Sequence, residues 1–332
     1  MRALPAVARE PRVSTATILL LAASCGLIVA NIYYAQPLIG PIAASLGLAP
    51  HAAGPIVTMT QIGYAAGLVL VVPLGDLVEN RKIVIICVAL SAIAVGSAAL
   101  ASSSAAFLAS AFAIGLGGTA VQMRYGALIR SMGRLAAATP ILRLRAFYQS
   151  CLFAAFSLFW TTAPLLLAGP DYGMTQRGMA LFGLAGVSGA VAAPIAGRLA
   201  DRGYARPATG AAVLIAALAF FLTMIPPQGS TLALALLVGA AVALDFGVQA
   251  NVVLGLRAIF ALAPEARGRL NGIYIATFFV AGALGSAVGA WAYAEGGWTL
   301  ASRIGLALPL IALARFIFRL ATGRGKLPLP PR

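Results

Sequence analysis

The chain has eight acidic residues in 332. Seven of them, Glu10, Asp76, Glu79, Asp171, Asp201, Glu265 and Glu295, fall in polar connections or near the ends of apolar runs. Asp245 alone lies well inside a run, in VALDFGVQANVV. An ionised, unpaired carboxylate in an apolar medium is disfavoured by several kcal/mol, so such a group faces a cavity, finds a partner or carries a proton. Gln249 is four residues further on and shares a helical face with Asp245, and Asn251 is near. These three form a candidate substrate- or proton-binding group. A structural carboxylate, hydrogen-bonded to neighbouring helices, is the competing reading. The first apolar run adds Asn31, Tyr33, Tyr34 and Gln36 near one end. An interfacial aromatic belt accounts for the tyrosines equally well, whereas Asn31 is deeper.

A second constellation is a polar turn that occurs twice between long apolar runs. PLGDLVENRK carries Gly75, Asp76, Arg81 and Lys82, and GRLADRGYAR carries Gly197, Asp201, Arg202, Gly203 and Arg206. In both copies an Asp follows a Gly, and an Arg stands five residues after the Asp. One copy alone would read as a plain topology-setting loop. Two copies at matched places read as the same joint in two related halves.

Other chemistries find little support. The single histidine, His51, falls in a connection, and Cys25, Cys87 and Cys151 all sit in apolar runs without metal-ligand spacing. No paired carboxylates lie inside the runs and no Walker-type phosphate loop is present. The expectation is therefore no enzyme, no metal and no cofactor.

The elements that must position these residues follow from composition. Apolar residues make up 61% of the chain, charged residues 9%, and the mean hydropathy is +0.96. Soluble domains carry roughly 25% charged residues, so lipid must be the main solvent here. The runs are of a length that spans the bilayer as helix, and no alternation of the kind found in membrane barrels appears. Ten spans are expected, at 15–37, 52–73, 83–101, 104–123, 147–168, 177–197, 207–225, 230–255, 270–294 and 299–318. The first is expected to be an uncleaved helix, since its run continues past Cys25 without a cleavage-like break. Gly63 with Gly67, Gly183 with Gly186 and Gly189, and Gly282 with Gly285 and Gly289 are expected to let helix backbones approach closely. The net charge of +15 is a topology signal. All basic residues except Arg177 and Arg303 fall on alternate connections, Arg143 and Arg145 being assigned to the central one. The positive-inside rule then places both termini in the cytoplasm and excludes a nucleic-acid patch.

The duplicated turn resembles motif A of the major facilitator superfamily of secondary transporters. GRLADRG with Arg206 matches that pattern well, while Leu77 and Glu79 depart from it in the first copy. NIYYAQPLIGPI, VPLGDLVENRK, FSLFWTTAPLLLAGP and APEARGRLN look like a bacterial branch of inner-membrane efflux-type members. The resemblance implies proton-coupled efflux of a small molecule by alternating access, in the bacterial inner membrane. It implies that Asp76 and Asp201 pair with arginines in a cytoplasmic latch. It also implies that first-span residues, with Trp160, Thr161 and Thr162 in the second half, line a central cavity.

Family members have twelve spans in two halves of six, which would separate the two aspartates by roughly 180 residues. Here they stand 125 positions apart, at 76 and 201. Against the family pattern, a pair of helices is expected to be missing after Gln122, and the fourth span lacks the buried Arg common in proton-coupled antiporters of the superfamily. The expected architecture is an all-α polytopic membrane protein with two bundles (4 + 6). The bundles occupy residues 1–123 and 147–320, joined by a basic cytoplasmic linker at 124–146 and followed by a tail at 321–332. The expected partners are the bilayer, a small-molecule substrate and protons. A monomer follows from the resemblance. A homodimer would follow if the glycine-rich face of span 177–197 had lost its neighbour. The alternative function is a truncated, non-transporting remnant.

Overall fold

The computed structural model describes residues 35–36, 38–48, 54–70, 80–119, 139–262 and 267–322, and the regular structure among them is helical throughout. A short helix α1 (Ile39–Ser45) precedes α2 (Gly54–Leu70), α3 (Asn80–Ala99) and α4 (Ser104–Gly118). Then come α5 (Pro140–Ala168), α6 (Gln176–Gly183) and, after a 3-10 turn at Leu184–Val187, α7 (Ser188–Asp201). The chain continues through α8 (Ala205–Thr223), α9 (Thr231–Phe260) and α10 (Arg267–Ala321). The last is broken into two arms at Gly296–Gly297, where the backbone leaves helical geometry and Gly297 takes a φ of 58°. Six of the helical stretches are long and apolar enough to cross a membrane.

Each expected span except the first falls on these helices or arms, the 177–197 span being divided between α6 and α7 by the 3-10 turn. Residues 15–34 of the first span lie outside the described residues. The ends are set by local chemistry. Ser103, Thr175 and Ser230 cap α4, α6 and α9 by accepting the amide N–H of Ala106, Gly178 and Ala233, satisfying donors that a helix start leaves free. Pro140 occupies the first turn of α5, where its missing N–H does no harm. It therefore starts the helix that the sequence placed at 147, and Arg143 and Arg145 belong to α5, not to a loop.

α5 is the central helix, and nearly all of its apolar window is buried. It packs on both arms of α10 and on α9, while α8 and α9 pack together and α7 lies against α9. In the first half, α2 packs on α4 and on α10, and α3 packs on α4. Apolar burial does not hold helices together in lipid, so close backbone approach must. Gly63 and Gly67 of α2 face the α4 backbone at Phe112 and Leu116, and Gly115 of α4 faces the carbonyl of Thr60. Gly282, Gly285 and Gly289 seat the first arm of α10 on Phe153, Ala154 and Leu158 of α5. Aromatic rings complete the seam, with Phe153 stacked on Phe156 and edge-on to Phe278.

Two of the three glycines of the 177–197 span face neighbouring helices, as expected of packing positions. Gly186 faces Asp245 and Trp160, and Gly189 faces Gln249, so this face has α9 and α5 as neighbours. The ground for a dimer through an orphaned glycine face does not hold at these two positions. Of the three, only Gly183 meets open space.

Candidate functional site

Polar side chains are strung along α5, and most of them reach neighbouring helices. Asp245 stands at the middle of α9 and is 5% exposed. The indole Nε1–H of Trp160 donates to its Oδ1 at 3.0 Å. A Cβ built on Gly186 would lie 3.0 Å from Asp245 Oδ2 and 3.5 Å from the Trp160 ring. Glycine at 186 therefore leaves the second carboxylate oxygen the space it occupies. Trp160 is held by Phe156, Phe159 and Phe182, whose rings surround the indole. The carboxylate thus has one fixed donor and no cationic partner among the described residues.

Gln249 does share the α7-facing side of α9 with Asp245, as its spacing predicts. Its Cγ occupies the space in front of Gly189, where an added Cβ would come within 2.7 Å. Asn251 turns elsewhere. Its Nδ2 donates to Oε1 of the buried Gln149 on α5 at 2.7 Å, which leaves Asn251 Oδ1 and Gln149 Nε2 without partners among the described residues. Asp245 and Asn251 are therefore joined through α5 rather than to each other.

A second polar seam links the two halves. Gln61 of α2 is fully buried and donates Nε2 to Ser157 Oγ at 2.9 Å. Thr161 shares a 2.8 Å hydrogen bond with Ser286 of α10, and Thr58 donates to the carbonyl of Ala283 at 3.3 Å. Thr162 bonds back to Leu158 on its own helix. Of the three residues that the resemblance pointed to, Trp160 reaches Asp245, Thr161 reaches α10, and Thr162 stays local. Gln61, Gln149 and Ser157 are members of these seams that sequence reasoning missed. The amides were legible as lone polar groups in TMTQIGY and RAFYQSCLF. Among the first-span candidates, Gln36 is buried, with no partner for its Nε2 among the described residues. Asn31, Tyr33 and Tyr34 lie outside the described residues.

The second copy of the duplicated turn has a physical reason at each of its key positions. Gly203 takes a φ of 84° and closes α7. Its N–H bonds to Ala200 O and that of Tyr204 to Leu199 O, the paired bonds of a left-handed helix stop that glycine adopts without strain. Asp201 pairs with Arg257 of α9. Gly197 leaves room for that guanidinium, since an added Cβ would sit 3.2 Å from Arg257 Nη2. Arg202 is exposed, and Arg206 turns into a pocket beside α5. Of the first copy, Lys82 is exposed at the start of α3, which also holds Arg81. Gly75 and Asp76 lie outside the described residues.

The Asp201–Arg257 side chains are 61% and 47% exposed, so the pair adds only about 0–1 kcal/mol to stability. Its effect is on which helix ends are joined. Reversing either charge alone, Asp201→Arg or Arg257→Asp, is expected to lower transport by more than either lowers folded yield. The double reversal should restore much of it. Equal transport in the single and double variants would exclude the pair as a latch.

Comparison with known proteins agrees with this arrangement. The sequence model described as Major Facilitator Superfamily matches residues 145–331. The chain is 30% identical to the uncharacterized transporter YgaY of Escherichia coli O157:H7, over 90% of this chain and 94% of YgaY. This chain belongs to the major facilitator superfamily. It is a multi-pass membrane transporter of that superfamily. The alignment with YgaY runs over 376 positions, more than the 332 residues present here, so YgaY carries stretches that this chain lacks. That agrees with missing helices. Among solved structures, a point mutant of the nucleoside transporter NupG superposes with a TM-score of 0.68 at 10% identity, over 90% of this chain and 99% of that one. The human organic anion transporter MFSD10 gives 0.55 at 18% identity, over 89% and 92%. Both likenesses concern the fold.

Proposed function

We propose that the chain is a proton-coupled exporter of a small molecule in the bacterial inner membrane, with both termini in the cytoplasm. The observation that carries this reading is Asp245, a carboxylate at the middle of a membrane helix whose hydrogen-bond partner among the described residues is a neutral indole N–H. A carboxylate without a cation, in a medium that disfavours charge, gains from binding a proton. The indole N–H of Trp160 orients the carboxylate, and Gln249, one helical turn on, would offer hydrogen bonds to a substrate. The first-span residues Asn31, Tyr33, Tyr34 and Gln36 complete the set on the other bundle. Rocking of the first bundle against residues 140–320 would expose the site to each side in turn. The Asp201–Arg257 pair would hold the cytoplasmic ends of α7 and α9 together on one side of that cycle.

The test is efflux of a drug and metabolite panel from cells stripped of their own pumps, with and without a proton uncoupler. Efflux that the uncoupler abolishes is the expected result. Efflux that survives it would overturn proton coupling. A parallel chain with a helix pair inserted after Gln122 addresses the missing spans. Activity confined to the longer chain would make this one a non-transporting remnant.

A further inference from the structure

A pocket beside the first turns of α5 and α8 and the last turns of α10, on the side that the proposed topology places in the cytoplasm, holds three arginines. It is lined by Leu144, Arg145 and Tyr148 of α5, Arg206 and Thr209 of α8, and Phe316, Arg319 and Leu320 of the second arm of α10. Arg145 is 3% exposed. Its Nη1 donates to Thr209 Oγ1 at 2.7 Å, and Thr209 in turn donates to Ala205 O at 2.8 Å. That hydroxyl orients the guanidinium but brings no negative charge. Among the described residues Arg145 forms no ion pair. Asp201 is engaged by Arg257 and Asp245 by Trp160. A buried cation without a counter-charge is strongly disfavoured, and two more cations at the same pocket add to its positive field.

We propose that this pocket binds a phosphate-bearing anion, gripped by Arg145 at its floor and by Arg206 and Arg319 at its rim. Guanidinium groups present paired N–H donors that match phosphate oxygens. The first turn of α8, which carries Arg206, adds the positive end of a helix. The apolar part of the lining, Leu144, Phe316 and the exposed Leu320, suits a ligand with both a phosphate and a greasy portion. Basic pockets between membrane helices on the cytoplasmic side take anionic headgroups in this manner. A phosphodiester headgroup and free phosphate share the recognised chemistry.

The pocket lies away from Asp245, so its test requires no transported substrate. Purified full-length chain in a neutral detergent would be titrated separately with inorganic phosphate, phosphatidylglycerol and phosphatidylcholine. Thermal stability and ligand retention in native mass spectrometry would be read for each. A stabilising shift with phosphatidylglycerol and not with phosphatidylcholine is expected, and a shift with phosphate alone would identify a soluble anion as the source. Arg145→Gln, Arg206→Gln and Arg319→Gln should each weaken that binding roughly tenfold, the loss of one charged hydrogen bond. Should Arg145→Gln fail to fold, the two rim variants decide. Arg303→Gln, on the opposite side of the membrane, should bind as the unaltered chain does. Equal shifts with all three additives, no shift with any, or equal binding by the rim variants and the unaltered chain would overturn the proposal.

Discussion

Asp245→Asn is expected to abolish proton-driven efflux while leaving the fold and substrate exchange in place. Asparagine keeps the shape of the side chain, and its carbonyl oxygen still accepts the Trp160 Nε1–H that reaches Asp245 at 3.0 Å. It removes the one property that shape does not supply, the capacity to take up and release a proton. Efflux driven by a pH gradient should therefore fall to the level of membranes without the protein. Counterflow of labelled against unlabelled substrate, which moves no net proton, should continue. Trp160→Phe makes the complementary lesion. It removes the donor and leaves the carboxylate without its hydrogen bond, a loss of about 1.5–3 kcal/mol for a charged acceptor. Gradient-driven efflux by Asp245→Asn at the unaltered rate would rule Asp245 out as the coupling group and leave it a structural residue.

Gly285→Leu should prevent α5 and the first arm of α10 from closing, with a large loss of folded protein. A Cβ at this position would sit 2.7 Å from the Cα and carbonyl carbon of Ala154, backbone atoms that no rotamer change can move. Gly282, whose added Cβ would come 2.6 Å from the Phe153 ring, and Gly289, at 2.9 Å from Leu158 Cγ, share the same seam. Forcing the helices apart at Gly285 would loosen both neighbours. Overpacking of a tight interior is disfavoured by about 1–3 kcal/mol, and contact with backbone places this case at the upper end. Gly96 supplies the control, because nothing lies within 4 Å of its added Cβ. Gly96→Ala should leave stability unchanged or raise it by up to about 1 kcal/mol through helix propensity. Heating each variant in detergent and measuring the monodisperse fraction by size-exclusion chromatography gives the comparison. Gly285→Leu surviving heat as well as Gly96→Ala would mean that this seam is not packed as described.

These two outcomes separate what each level of the molecule decides. Long apolar runs fix membrane helices because lipid leaves the backbone no alternative to internal hydrogen bonding. Gly203, Ser230 and Thr175 mark helix ends because a positive φ or an amide-accepting hydroxyl is needed locally. These are one-dimensional signals, and the sequence carries them. It also isolated Asp245, since a carboxylate within an apolar run is visible without knowing its neighbours. The rotation of each helix about its axis is different. Hydropathy in lipid is nearly uniform around a span, so the partners are chosen by shape, through the points where glycine lets backbones touch. That choice gave Asp245 to Trp160 and Asn251 to Gln149, and joined Gln61 to Ser157 across the two halves. It also turned Arg145 inward. In RLRAF an arginine reads the same whether it faces water or a bundle, and only the packing of α5 against α8 made it a buried cation.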